Sequence, residues 1–209
     1  MNARLSAIHR LLDRPVSSTG RALLLAAIVV LLVGGTLPLW RIGLVAPQYS
    51  EGLSLDMYAY QIVAGNNGQD LAEINTLNHY IGMKPIAQAD FLEMKVLPFA
   101  IGAFSLLTLR AVVVGRIISL VDLVVLFFYF GAFSLGSFAY RLYTYGHQLD
   151  PHAPMKIKPF MPVVIGSQPI ANFVQTSVPL AGSACLAAFL LLLVAATWTS
   201  FRTARREAV

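Results

Sequence analysis

Four long runs of apolar residues, separated by polar segments, dominate the pattern of this chain. They cover about residues 22–40, 96–114, 117–140 and 179–201. A helix of about 20 apolar residues crosses a hydrocarbon core about 30 Å thick. The pattern therefore predicts an all-α integral membrane protein. Its four transmembrane helices form a single membrane domain over residues 1–209, with two long structured loops at 41–95 and 141–178.

The first run has a competing interpretation as a secretory signal peptide, because basic residues precede it. Signal peptides have shorter apolar cores and end at a cleavage site of small residues. This run is longer, and no such site precedes the polar loop, which favours an uncleaved span.

The composition supports a membrane protein. The chain is 57% hydrophobic and 12% charged, whereas soluble proteins average about 25% charged residues. A net charge of +5 does not require a nucleic-acid partner, since basic residues at the ends of membrane spans orient the chain. The single cysteine, Cys185, excludes an intramolecular disulfide and any CxxC metal or redox motif.

The distribution of lysine and arginine predicts which side each loop faces. Nine arginines lie in the two tails and at the turn between the second and third runs: Arg4, Arg10, Arg14, Arg21, Arg110, Arg116, Arg202, Arg205 and Arg206. The two long loops hold six basic residues. Because the more basic side stays in the cytoplasm, we expect a multi-pass protein of the bacterial inner membrane, with both termini cytoplasmic and both loops in the periplasm.

The two outer loops are long enough to carry their own structure, since loops beyond about 15 residues rarely lack one. Residues 53–63 are expected to form a short helix or strand on the membrane surface. Residues 70–80 have apolar positions at helical spacing, with Asp70 as N-cap and Glu73 three residues later. The second loop is rich in proline, which predicts an extended segment rather than a helix.

Histidine and methionine supply the candidate chemistry. Beyond the N-terminal tail, every histidine and methionine lies in the two outer loops. Imidazole and thioether groups suit copper, and thioether suits Cu(I) especially. His79 and Met83 share a helix face if the 70–80 helix continues. The alternative is that Met83 packs against the membrane helices while His79 hydrogen-bonds to the loop.

The second loop offers His147, Asp150, His152 and Met155 within nine residues. The alternative is an interfacial segment whose histidines and tyrosines lie at the level of the lipid headgroups. Without cysteine on this side, thioethers remain usable as Cu(I) ligands in an oxidising compartment. We therefore predict copper as the cofactor, and the predicted metal ligands are His79, Met83, His147, His152 and Met155.

Other sequence features exclude several activities. No phosphate-binding loop, nucleophile elbow or HExxH motif is present, so we expect no enzyme activity. No predicted span contains a histidine, which argues against haem ligation within the membrane. Asp122 lies near the start of the third run, where an ion pair with Arg110 or Arg116 is favoured over a proton path.

Residues 46–49 (APQY), 51–53 (EGL), 77–83 (LNHYIGM), 145–147 (YGH), 149–151 (LDP) and 153–157 (APMKI) resemble a family of small bacterial four-span proteins. Members of that family occur in gene clusters for nitrous oxide reductase, a periplasmic copper enzyme, beside copper-delivery and ABC-transporter components. The resemblance covers both outer loops and the overall layout. It implies a setting in copper-enzyme assembly and supplies no ligand set.

These features lead to one main hypothesis and two alternatives. The main hypothesis is an accessory inner-membrane protein for assembly or copper supply of a periplasmic copper enzyme such as nitrous oxide reductase. Its partners would be the lipid bilayer and the periplasmic or membrane proteins of that assembly system, with no nucleic acid. The alternatives are a structural subunit of a larger respiratory or photosynthetic membrane complex and a transporter.

Overall fold

The computed structural model describes residues 9–207. The elements in chain order are α1 Ser18–Thr36, β1 Trp40–Ala46, β2 Tyr49–Met57, β3 Ile62–Ala64, α2 Gln69–Tyr80, α3 Glu93–Val114, α4 Ile117–His147, β4 Gly166–Ile170, β5 Phe173–Pro179 and α5 Ala181–Arg206. Short 3-10 turns lie at Asn66–Gly68 and Gln88–Asp90. Four of the helices, α1, α3, α4 and α5, are long and apolar enough to cross a membrane.

The all-α expectation is wrong, because the outer segments form a five-stranded antiparallel sheet. Its strand order is β3–β2–β1–β5–β4. Three strands come from the first outer segment and two from the second, and β1 pairs with β5 from Trp40↔Pro179 to Val45↔Val174. The fold is therefore mixed α/β.

The strand β1 shows why the sheet was missed. Its residues alternate between buried and exposed from Trp40 to Ala46, which is the period of a strand with one face in a core. The sequence interpretation placed Trp40 at the end of the first span, whereas α1 ends at Thr36 and Trp40 opens the strand. Its partner strand β5 is distant in sequence, so no local pattern predicts the pairing.

The described chain divides into two compact units. The described part of the helical unit comprises residues 9–34, Phe99–Ala132 and residues 184–207, and the sheet unit comprises Gly35–Pro98 and Phe133–Ser183. Within the helical unit, Phe127 packs edge-on against Phe104 and Phe189, with ring centroids 5.0 and 4.7 Å away. Gly20 lets α1 approach α5, since a Cβ there would lie 2.5 Å from Ser200 Oγ.

The sheet unit has its own hydrophobic core. The buried face of the sheet packs with apolar residues of α2 and α4; this core contains Trp40, Ile42, Leu44, Leu53, Leu55, Ile74, Leu77, Leu142, Ile170 and Phe173. On the exposed face, Arg41 and Asp56 form a two-bond ion pair across β1 and β2. One face is thus dry and the other solvated, as is usual for an antiparallel sheet.

The predicted helix at 70–80 is present as α2, but its start is built differently. The N-cap is Gly68, which has φ +95° and makes no side-chain cap. Asp70 Oδ2 instead accepts a hydrogen bond from the backbone N–H of Ser54 at 2.8 Å. The carboxylate therefore joins α2 to β2 rather than capping its own helix.

Residues 148–165, here called the strap, contain no regular helix or strand, in keeping with their prolines. Pro169 lies in β4 at the edge of the sheet, the position where a missing N–H is tolerated. Residues 53–63, expected as a helix or strand, include the end of β2 and the start of β3.

Candidate functional site

The end of α2 and the start of the strap meet through their backbones. The Asp150 N–H donates to Gly82 O at 2.8 Å, and the Met155 N–H donates to Tyr80 O at 2.9 Å. Gly82 has φ +78°, and a Cβ there would lie 2.9 Å from Asp150 O and 3.0 Å from the Ala153 Cβ. Glycine is therefore required both for the backbone conformation and for the close approach.

This meeting brings three of the predicted ligands into one exposed region. His79 lies on the exposed side of α2, while His152 and Met155 lie in the strap and are also exposed. The His152 N–H donates to Asp150 Oδ1 at 2.8 Å, and the His152 ring Nδ1 lies 3.3 Å from the same oxygen. We call His79, Asp150, His152 and Met155 the His/Met surface.

The pKa of Asp150 responds to both nearby histidines. The pKa of Asp150 is lowered from its ordinary value, first by the hydrogen bond from the His152 backbone N–H. Desolvation opposes this effect, whereas the side chain of His152 and the charge of His79 add to it. Both imidazoles therefore act on one carboxylate.

His147 and Met83 do not join the His/Met surface in this way. The ring of His147 stacks on Tyr143 with centroids 3.8 Å apart, and its Nδ1 bonds to Tyr143 O at 2.9 Å. Met83 is half-buried against the core of the sheet unit. Because α2 ends at Tyr80, His79 and Met83 do not share a helix face as the spacing suggested.

The His/Met surface is open rather than a closed metal centre. Within residues 9–207, no group of three or more His, Cys, Asp or Glu side chains is arranged to hold a metal ion. The His152 side chain is 91% exposed. The arrangement therefore offers exchangeable imidazole, thioether and carboxylate groups and does not fit a resident structural metal, whose protein ligands enclose it.

A second feature of the sheet unit is a cavity of about 60 Å³ in its core. Its wall is mostly apolar, but Asn78, Arg141, Tyr145 and Gln175 also line it. Asn78 Nδ2, Tyr145 OH and Gln175 Oε1 are buried there, and none has a hydrogen-bond partner among the described residues. Buried polar atoms without a hydrogen bond are uncommon in native cores. Three of them around one cavity distinguish the cavity from the rest of the core.

The sequence interpretation missed these three residues. Asn78 lies four positions after Ile74 on the buried face of α2. Gln175 lies between Phe173 and Ser177 on the buried face of β5. The helical period alone would have marked Asn78 as a polar residue on an apolar face. Gln175 could be recognised only once β5 was known to be a strand.

Comparison of this chain with protein-family models, with curated proteins and with solved structures found no significant match.

Proposed function

We propose that this protein is a membrane-anchored accessory factor that takes up Cu(I) as cargo on its His/Met surface and passes it on during assembly of a periplasmic copper enzyme such as nitrous oxide reductase. The observation that carries the proposal is the backbone contact between the end of α2, which carries His79, and the strap, which carries His152 and Met155. The role is binding and delivery rather than catalysis.

Membrane topology supports access to the periplasm. Four crossings by α1, α3, α4 and α5 leave residues 37–92 and 148–180 on one side, with both tails and the 115–116 turn on the other. The arginine-rich tails and turn favour the cytoplasm. The protein would then lie in the bacterial inner membrane with its sheet unit outside the cytoplasm.

The ligand chemistry supports Cu(I) as the cargo. Imidazole and thioether are suitable copper ligands, and thioethers resist the oxidising conditions that remove thiols. With Nδ1 of His152 directed at the Asp150 carboxylate, its Nε2 is the nitrogen presented outward, the usual arrangement for a metal-binding histidine. An open ligand set also suits transfer, because a bound ion must be able to leave.

The test is a Cu(I) titration of the full-length protein in detergent under reducing conditions, against a chromogenic competitor. We expect about one equivalent to bind in the wild type. His79→Ala combined with His152→Ala should abolish this binding. The matched control is His147→Ala, whose ring is already held by Tyr143 and whose loss should leave the affinity unchanged. Wild-type binding no tighter than that of the double variant would refute the proposal.

A structural subunit of a larger respiratory or photosynthetic complex is the second candidate function. An exposed aromatic stripe on one face of α4 favours it: Tyr129, Phe133 and Tyr140 are 68%, 74% and 72% exposed. Aromatic residues are enriched in the cores of protein interfaces. Stable co-purification with a large complex, combined with no Cu(I) binding, would support this function over the first.

A further inference from the structure

We propose that the groove between α3 and α4 near the 115–116 turn binds the headgroup of a phospholipid that carries a primary ammonium, as phosphatidylethanolamine does. The proposal is independent of copper. It concerns Asp122 and Arg110, two charged residues inside apolar helices that the proposed function does not use.

The groove lies wholly within the helical unit and has a volume of about 200 Å³. Its polar groups are Arg110 from α3 and Ser119 and Asp122 from α4. Leu107, Leu123 and Leu126 provide apolar walls. A groove with charged groups between leucine walls matches an amphipathic guest better than a free ion or an apolar one.

The two charges in the groove are not neutralised by the partners that the sequence suggested. Arg116 bonds to Asp13 at 3.2 Å rather than to Asp122. Among residues 9–207, neither Arg110 nor Asp122 forms an ion pair within 4.0 Å. Since an uncompensated charge within a span costs a few kcal/mol, a ligand that compensates both charges at once would be bound favourably.

The two charges lie at the same depth. Arg110 is four residues before the end of α3 at Val114, and Asp122 is five residues after the start of α4 at Ile117. At a rise of 1.5 Å per residue, these positions are about 6 and 7.5 Å from the helix ends. The long side chain of Arg110 can therefore extend to the level of the lipid headgroups, and Asp122 lines the same groove.

The charge pattern selects one headgroup. A guanidinium binds phosphate through two parallel hydrogen bonds. A carboxylate beside a serine hydroxyl accepts hydrogen bonds from a primary ammonium. The quaternary ammonium of phosphatidylcholine has no N–H to donate, and the anionic headgroup of phosphatidylglycerol would be repelled by Asp122. A phosphate joined to a primary ammonium satisfies both residues.

Native mass spectrometry of the full-length protein, with ethanolamine, choline and glycerol phospholipids of identical acyl chains, tests this assignment. We expect the ethanolamine lipid to be retained about tenfold more than the choline lipid, the ratio typical of one charge-assisted hydrogen bond. Asp122→Asn should abolish that preference and increase retention of the glycerol lipid. Arg110→Gln should reduce retention of all three.

The matched control is Arg202→Gln, which removes an exposed arginine outside the groove and should change nothing. Thermal unfolding in detergent checks that each variant is folded. Equal retention of the ethanolamine and choline lipids by the wild type would overturn the proposal. So would a preference that survives Asp122→Asn. A double-mutant cycle on the stability of the lipid-free protein in detergent gives the coupling energy between Arg110 and Asp122. A large coupling energy would show that the two residues pair with each other, which would also overturn the proposal.

Discussion

Gly82 controls the contact between the two histidine-bearing segments. Its positive φ and its distance to the Asp150 backbone both exclude a side chain. Gly68 also has a positive φ, +95°, but a Cβ there would meet nothing within 4 Å. Alanine at Gly68 would introduce backbone strain alone, whereas alanine at Gly82 would introduce backbone strain and a steric clash. Comparing the stability of the two variants therefore separates the two effects.

We predict that Gly82→Ala destabilises the protein by about 2–4 kcal/mol, because backbone strain of about 1–2 kcal/mol is joined by displacement of the strap. Gly68→Ala should cost the strain alone. Thermal unfolding measures both, and a Cu(I) titration of Gly82→Ala should show weakened binding. Equal losses of stability in the two variants would mean that the contact with Asp150 contributes nothing.

Gln175 and Ser177 lie on the same face of β5 and have opposite hydrogen-bonding states. Ser177 Oγ accepts from Trp40 Nε1 at 2.8 Å and donates to Val164 O at 2.7 Å. Gln175 Oε1 is buried without a partner among the described residues. Removing a hydrogen-bonded group should lower the stability of the protein, because its partners are left unpaired. Removing a buried group that has no partner should not.

We accordingly predict that Ser177→Ala lowers the free energy of unfolding by about 1–3 kcal/mol, because it leaves the Trp40 N–H and the Val164 carbonyl unpaired. Gln175→Met keeps the side-chain length, removes the unpaired oxygen, and should be neutral or stabilising. Chemical denaturation of the two variants gives the comparison. A large loss in Gln175→Met would indicate that the cavity holds a hydrogen-bonding guest in solution.

At the scale of elements, the parts of the fold that follow from local sequence were predictable. The helix α2 was expected within one residue, because Leu71, Ile74 and Leu77 repeat at the helical period within one segment. The sheet was not expected. Residues 53–63 were predicted only as a short helix or strand, and β1 was divided between the end of the first apolar run at Trp40 and the loop that follows it. The pairing of β1 with β5 depends on residues more than 120 positions apart.

The same distinction applies to the candidate site. Residue chemistry selected His79, His152 and Met155 as candidate ligands, and the structure brings the two segments that carry them together. Spacing alone paired His79 with Met83, but the chain leaves the helix after Tyr80 and Met83 turns toward the core. Asp150 lies beside the end of α2 because of backbone contacts between two segments that are distant in sequence. Sequence spacing does not reveal such contacts.

The helix α4 positions the strap through a close backbone approach at Gly146. The Phe160 N–H donates to Gly146 O at 3.0 Å, and a Cβ at Gly146 would lie 2.1 Å from Phe160 O and 2.7 Å from Pro162 Cδ. Gly136, in the same helix, would meet nothing within 4 Å.

These two glycines make a matched pair. Gly136→Ala should stabilise the helix by up to about 1 kcal/mol, as expected for glycine in a helix interior. Gly146→Ala should destabilise the protein by about 2 kcal/mol or more, because residues 160–162 must move away from α4. Limited proteolysis within the strap should accelerate only in Gly146→Ala. Equal proteolysis rates in the two variants would show that this contact does not hold the strap.

At the scale of the whole molecule, the exposed surfaces of the helices indicate contact with a lipid bilayer. Leu106, Val113 and Leu191 are 70%, 66% and 68% exposed, and the helices that carry them are long enough to cross the hydrocarbon core. If all four helices cross, two crossings, α3 and α4, separate the two segments that build the sheet unit, so both segments face the same side of the membrane. Which side they face decides whether thioethers or thiols are the suitable copper ligands.

We predict that the sheet unit is outside the cytoplasm, and single-cysteine labelling of intact cells tests this. Replacing Cys185 with serine gives a background without cysteine. In that background, Ser167→Cys in β4 should react with a membrane-impermeant thiol reagent. Thr203→Cys in the last turn of α5 should react only after permeabilisation. Both positions are exposed, so a difference in labelling reports the side of the membrane rather than burial.

The opposite labelling pattern would have separate consequences for the two proposals. It would place the His/Met surface in a reducing compartment, where cysteine thiolates outcompete thioethers for Cu(I), and the copper proposal would fail. The lipid groove would then face the outer leaflet, but its complementarity to a phosphate and a primary ammonium would be unchanged. The labelling experiment can therefore eliminate the proposed function without deciding the lipid site, which depends on the groove that contains Arg110 and Asp122.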